Sequence, residues 1–398
     1  MSEPTFVIVT KARGTFFKPL YEAFAQAQPE GWRTVLLWPA EHQSEHPEEL
    51  VTPRTDNLEI VPLHSTSHDL KANDARIEGR ATRYQTQLPA REMWARLGER
   101  DVRGILIHEF SPFTLQALLY ARWHRIPVCV STEVGRGNAQ FFGRRTRWWH
   151  ALWGRLVNGV VACCPAAHQP LSRKHVPTVS TYHAVDSRLY VPADHESSQV
   201  VTFAYLGQLI RRKGLDLLLQ AAARLKENGE SRFRIRLIGG GDAGWLHELA
   251  HALGLREHVE FTGFLSGAAI RDALASADVF VLPTRQDTYA AVVHEATCLG
   301  LPLLISKHAG AAEALVRPGQ NGHIFDPEDI ASFAAKMQSL MPARVREPMR
   351  KISREIGESH SAHARGAALW QWMVDHALVT TRQGEAALER HLMQGAGL

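Results

Sequence analysis

The chain has 398 residues, 45 % hydrophobic and 22 % charged, with a formal net charge of +4 at pH 7. That length allows two or three domains, and the balance excludes a disordered or fibrous chain. The mild basic excess is what ordinary surface arginine gives, although a phosphorylated substrate or an acidic membrane surface would also suit it.

Strand-like apolar runs rich in β-branched residues recur at 5–10, 34–38, 58–62, 104–108, 127–131 and 159–163, then at 200–206, 233–238, 258–262, 278–282 and 301–305. Near-continuous apolar strands predict sheets buried on both faces. The amphipathic stretches between them, such as 214–228 and 266–276, predict helices and parallel pairing. Eleven strands are too many for one ordinary sheet. The polar run 192–199, which starts with Pro192, therefore reads as a linker between two doubly wound domains facing each other across a cleft. Beyond about residue 342 only helical segments are expected, including 364–378 and 384–393.

Cys129, Cys163, Cys164 and Cys298 form no C-x-x-C pair and no zinc spacing. Three of them lie in apolar runs, so they read as buried, reduced thiols of a cytoplasmic protein. No run reaches about 18 apolar residues, so no membrane span is expected. The first ten residues read as a strand and not as a signal peptide.

Three segments of the second half carry chemistry. In 205–219 (YLGQLIRRKGLDLLL) a strand ends in glycine, and Arg211, Arg212 and Lys213 precede a helix. A basic cluster at the positive end of a helix suits a diphosphate; a solvated basic loop is the plain alternative. In 283–295 (PTRQDTYAAVVHE) a helix should begin near Ala290, with Asp287 just before it and Glu295 on it. These carboxylates could bind sugar and ribose hydroxyls, or Asp287 or Thr288 could simply cap the helix. The segment 239–244 (GGGDAG) satisfies G-x-G-x-x-G after a strand. A dinucleotide site would want an acid at the end of the next strand, whereas Glu260 falls inside it. In the first half, Arg13 and Gly14 follow the first strand. His108 and Glu109 stand at a strand's carboxyl end, where ligands bind in doubly wound sheets. Residues 141–155 (FFGRRTRWWHALWGR) mix five aromatics with four arginines. As a helix they could lie on an anionic membrane surface, or pack their tryptophans on the first domain. No nucleic-acid signature accompanies them.

Together these segments resemble the family 4 glycosyltransferases, retaining enzymes of the GT-B fold. The resemblance covers most of the chain and is strongest over 201–326. Residues 205–214 are similar to the family's glycine-arginine…lysine-glycine loop, 237–241 to its valine-glycine-x-glycine turn, and 278–302 to its E-x7-E segment. Residues 319–325 resemble the turn and strand that follow, 107–109 a histidine segment at the active site, and 182–186 an asparagine-glycine-valine-aspartate motif. Three departures stand out: Gln208 replaces a usual arginine, Asp287 a glutamate and Ala290 a glycine.

The resemblance implies an acceptor-binding domain over 1–192, a nucleotide-sugar-binding domain over 199–358, and helices over 359–398 packing back on the first domain. It implies transfer from a nucleotide diphosphate sugar, uridine most often, to a glycan or lipid-linked acceptor of polysaccharide, lipopolysaccharide or glycolipid synthesis. The sugar's anomeric configuration is kept, and no metal or cofactor takes part. Lys213, His108 and Asp287 would be catalytic. Gly207, Gln208, Arg211, Arg212, Gly240, Tyr289, Ala290, Ala291, Val292 and Glu295 would hold the donor. Arg13, Gly14, Glu109 and Glu133 would lie on the acceptor side. Arg211 or Arg212 is expected to supply the charge missing at Gln208. A cytoplasmic protein peripheral to the inner membrane face follows. A nucleotide-sugar epimerase on this fold, or a weakened nucleotide-sugar-binding partner protein, remains the alternative.

Overall fold

The computed structural model describes residues 3–10, 17–39, 53–72, 82–133, 144–164, 176–181, 183–192 and 199–380. The chain divides into two compact units. One is Met1–Ala72, Thr82–His183 and Ala362–Leu398; the other is Asn73–Ala81 and Ala184–Ser361.

The first unit carries strands β1 (Pro4–Val9), β2 (Arg33–Pro39), β3 (Leu58–Leu63), β4 (Ser67–Ala72), β5 (Thr82–Gln87), β6 (Asp101–His108), β7 (Val128–Thr132), β8 (Gly159–Ala162) and β9 (Thr178–Ser180). Its helices are α1 (Lys18–Gln26), α2 (Met93–Gly98), α3 (Pro112–Trp123) and α4 (Arg144–Trp153). Seven strands form one sheet in the order β3-β2-β1-β6-β7-β8-β9, every pair parallel. From its second residue onward β1 is wholly buried, as a strand covered on both faces must be. The antiparallel hairpin β4–β5 and the short β9 lie outside the expected strand runs. Both are rich in polar residues and lack the apolar signal of a central strand.

The second unit carries β10 (Val201–Leu206), β11 (Phe233–Ile238), β12 (Val259–Gly263), β13 (Val279–Leu282), β14 (Leu303–Ser306) and β15 (Gly322–Phe325). Its helices are α5 (Leu215–Glu227), α6 (Gly244–Ala252), α7 (Ala268–Ala275), α8 (Ala291–Cys298), α9 (Ala312–Leu315), α10 (Ile330–Ser339) and α11 (Ala343–Ser359). The order β12-β11-β10-β13-β14-β15 is the doubly wound 3-2-1-4-5-6 order, and it reverses between β10 and β13.

One further helix, α12 (Ala362–Asp375), belongs to the first unit. A Cβ at Gly366 would sit 2.5 Å from the backbone nitrogen of Phe24, so only glycine admits that approach to α1. Trp370 meets Phe24 and Trp32 edge-on, at 5.6 and 5.0 Å between ring centroids.

The expected boundary at 192–199 is corrected: the units divide at His183/Ala184. Residues 184–190 are fastened to α8, where the buried His294 accepts the Val185 N–H on Nδ1 at 3.3 Å. Its Nε2 lies 3.1 Å from the Gly357 carbonyl, which fixes the donor nitrogen. A polar run marks where the chain is solvated, and the residues before it, with Ala184 and Asp186 buried, already belong to the second unit. The expected helix over 384–393 lies outside the described residues.

Candidate functional site

In the second unit, the loops that leave β10, β11 and β13 meet at the sheet's switch point. Gly207, at φ 148°, donates its N–H to the Ile238 carbonyl at 3.0 Å. Gly239, at φ 147°, leaves no room for a side chain: a Cβ there would lie 1.9 Å from the Gly207 carbonyl oxygen. The Gly240 carbonyl takes the Leu209 N–H at 2.9 Å. The G-x-G-x-x-G match therefore serves a glycine-on-glycine crossing of two loops. Gln208 contributes its carbonyl to the Tyr205 hydroxyl at 2.8 Å.

Arg211, Arg212 and Lys213 form a 3-10 turn of their own, and α5 starts after Gly214. Lys213 Nζ is ion-paired with the Asp287 carboxylate, which ties the β10 loop to the β13 loop. Arg212 donates through Nη1 to the Gln286 carbonyl at 2.9 Å, while Arg211 lies over the Trp245 ring at 4.8 Å. Arg285, which the sequence reading passed over, completes the lacing. It grips Asp216 with both terminal nitrogens at 2.7 and 2.9 Å and donates its backbone N–H to the Arg212 carbonyl. Of the three basic side chains, Lys213 and Arg212 are thus fixed by the β13 loop and Arg211 by α6.

Helix α8 begins differently from the capping alternative. Its N-cap is Ala290, left-handed at φ 71°, and no side chain caps it; Asp287 and Thr288 are not caps. The N–H groups of the first turn, Ala291 and Val292 among them, lack intrahelical acceptors and point their partial positive charge outward. A non-glycine residue at positive φ costs roughly 1–3 kcal/mol, so the surroundings must hold it. They do: Ala311 donates to the Tyr289 carbonyl at 2.8 Å and Gly310 to that of Asp287 at 3.2 Å.

One turn into α8, Glu295 is buried. Desolvation pushes its carboxyl up to about 7, and the hydroxyl of Tyr190 on the 184–190 segment opposes that shift. Tyr190 itself is raised by burial and by the Glu295 charge. It went unnoticed because it stands among the residues assigned to the wrong side of the domain boundary. The ingredients now coincide at one switch point: uncapped helical N–H groups, a lysine and two arginines, and an inward carboxylate half-protonated near neutrality. That set suits a phosphorylated ligand bearing a hydroxylated ring.

The first unit has a second group. His108 ends β6 and is buried, its Nε2 3.7 Å from Glu133 Oε1. His183 Nε2 lies 3.5 Å from the same oxygen. Phe17 touches both imidazoles, at 4.6 and 4.8 Å between centroids. Glu109, left-handed at φ 57°, does not present its carboxylate outward. It accepts the Thr132 hydroxyl at 3.2 Å and the Glu133 N–H at 2.5 Å. Glu109 therefore shapes the turn that carries Glu133. Arg13 and Gly14 lie outside the described residues. All four cysteines are buried thiols without a disulfide.

Residues 192–358 match the family model described as "Glycosyl transferases group 1". The chain is 31 % identical over 180 residues to the sulfoquinovosyl transferase SQD2 of Arabidopsis thaliana, covering 42 % of this chain and 34 % of that protein. It is 27 % identical over 357 residues to the GDP-mannose-dependent alpha-(1-6)-phosphatidylinositol monomannoside mannosyltransferase of Mycolicibacterium smegmatis, covering 80 % of this chain and 88 % of that one. Other curated relatives are longer than the region matched, and the chain spans about 57 % of the glycogen synthase of Mycobacterium tuberculosis. The crystal structure of Anabaena HepE in complex with UDP and glucose superposes with a TM-score of 0.68 at 15 % identity, over 93 % of this chain and 99 % of that one. That likeness is one of fold: two parallel-sheet, Rossmann-like α/β units, as in the GT-B glycosyltransferases.

Proposed function

We propose that the chain is a retaining glycosyltransferase that takes a sugar from a uridine diphosphate donor and passes it to a glycan or lipid-linked acceptor. The observation that carries this reading is the Lys213–Asp287 pair beside the uncapped start of α8, with Glu295 one turn further on. An ammonium has three donors, so Lys213 keeps Asp287 and still offers N–H to a phosphate oxygen. The Ala291 and Val292 N–H groups serve the same anion, and Arg211 or Arg212 supplies the charge missing at Gln208. Glu295 accepts the ribose hydroxyls. Two such donors stabilise its ionised form, so donor binding drives its proton off.

Transfer with retention needs no protein nucleophile in this scheme. The leaving phosphate oxygen takes the acceptor proton on the face from which it departs, and the chain stabilises the growing charge. His108 contacts the transferred sugar. No metal ion or bound cofactor enters the scheme; the nucleotide sugar is a substrate. Similarity to the phosphatidylinositol mannoside and sulfoquinovosyl enzymes supports a lipid-linked acceptor. So does α4, which exposes Trp148 and suits the inner face of a membrane. A thermal-shift screen with uridine, guanosine and adenosine diphosphate sugars tests the donor assignment. A uridine diphosphate sugar should raise the melting temperature most. A screen in which none of the three moves it would reject the reading.

A further inference from the structure

Helix α3 is apolar nearly all round, yet the first unit leaves one side of it in water. Phe113, Leu115, Ala117, Leu118 and Ala121 face the core. The opposite face, where a surface helix is normally polar, exposes Leu119 at 45 % and Trp123 at 78 %. The two are four residues apart and so neighbours on one stripe. Trp94 of α2, 43 % exposed, extends the patch. Its ring meets Tyr120 edge-on at 5.6 Å and its indole N–H donates to the Gln116 carbonyl at 3.2 Å.

Along α3 and its closing turn the charge has one sign, whereas beside Trp94 the acids Glu92 and Glu99 are outnumbered by Arg91, Arg96 and Arg100. From Phe110 to Thr132 the sequence contains no acidic residue, while Arg122, His124 and Arg125 follow one another around Trp123. All three are exposed. Arg125 also sits where glycine would be cheaper. The helix closes with the Ile126 N–H on the Ala121 carbonyl at 2.8 Å, which places Arg125 at the left-handed closing position, φ 58°. A side chain that strains the backbone there has a use beyond closing the helix.

We propose that the exposed face of α3, with Trp94 beside it, docks the chain on an anionic membrane surface. Tryptophan favours the headgroup level, where its apolar body and polar N–H are both satisfied. Arginines beside it meet the negative surface potential of acidic lipids. The surface is distinct from α4 and independent of the nucleotide site, so it stands whether or not the transfer reaction does.

Flotation of the whole chain with phosphatidylcholine vesicles containing about one-third phosphatidylglycerol tests it. The wild-type chain should float with these vesicles and remain below with phosphatidylcholine alone. Arg125→Gly should weaken binding about fivefold, equivalent to about 1 kcal/mol, without lowering the melting temperature. Trp123→Ser should weaken it about tenfold or more. The donor-induced thermal shift should be unchanged in both variants, which separates this outcome from any failure of the transfer reading. Wild-type flotation by Trp123→Ser and Arg125→Gly, with binding lost instead in Trp148→Ser, would place the contact on α4 and overturn the proposal. A dimer that Trp123→Ser dissolves, without any vesicle binding, would overturn it in favour of a second copy of the chain.

Discussion

Glu295 shows how one residue trades stability for use. Its folded carboxyl titrates at about 7, against an ordinary value of 4.5. Between those values the folded chain keeps a proton that the unfolded chain has released, so stability falls as pH rises through this window. Above 7 the folded state carries the full cost of a buried charge. Glu295→Gln removes that cost. The variant should be more stable than the wild type at pH 8 by up to roughly 3 kcal/mol, with the gap closing toward pH 5. Chemical denaturation at the two pH values measures it, and a gap that does not change with pH would refute the assignment. Donor affinity should move the other way, because a neutral amide is a weaker acceptor for two ribose hydroxyls. Asp287 is a different case. Its pairing with Lys213 was not visible in the sequence, where 74 residues separate them, because only the sheet order brings the two loops together.

At the scale of elements, the informative positions are turns. Ala290 occupies a left-handed N-cap that the resemblance assigns to glycine. Ala290→Gly should therefore stabilise the second unit by about 1 kcal/mol through relief of strain. A loss of stability on urea unfolding would mean that the methyl group packs favourably enough to offset it. Gly239→Ala is the converse. A methyl 1.9 Å from the Gly207 carbonyl must push the β10 and β11 loops apart, and the variant should lose both several kcal/mol of stability and its donor-induced thermal shift. Much of this level was legible. The strand runs over 200–206, 233–238 and 278–282 correspond to β10, β11 and β13, because buried parallel strands are written as unbroken apolar runs. The hairpin β4–β5 and the fastening of 184–190 to α8 were not legible. The first is polar, and the second depends on His294, one histidine among 21 in the chain, which nothing in the sequence marks out as buried.

For the whole molecule, α12 matters most: it starts next to the last helix of the second unit in sequence and packs in the first. Trp370 is buried against Phe24 and Trp32. Trp370→Ala should cost the first unit about 3–5 kcal/mol while leaving donor affinity in the second unit intact. A matching loss of donor affinity would show that the two units unfold as one. The doubly wound sheets were foreseeable from alternation of strand and helix signals. The place of the last helix in the first unit came from the family resemblance and not from its pattern, since helical periodicity records a buried face but never its partner. The account as a whole is tested most directly by calorimetric titration of a uridine diphosphate sugar into the wild type, Lys213→Ala, Glu295→Ala and Trp123→Ser. It predicts that the first two variants bind at least about tenfold more weakly while Trp123→Ser binds like the wild type. Undiminished affinity in both Lys213→Ala and Glu295→Ala would contradict it.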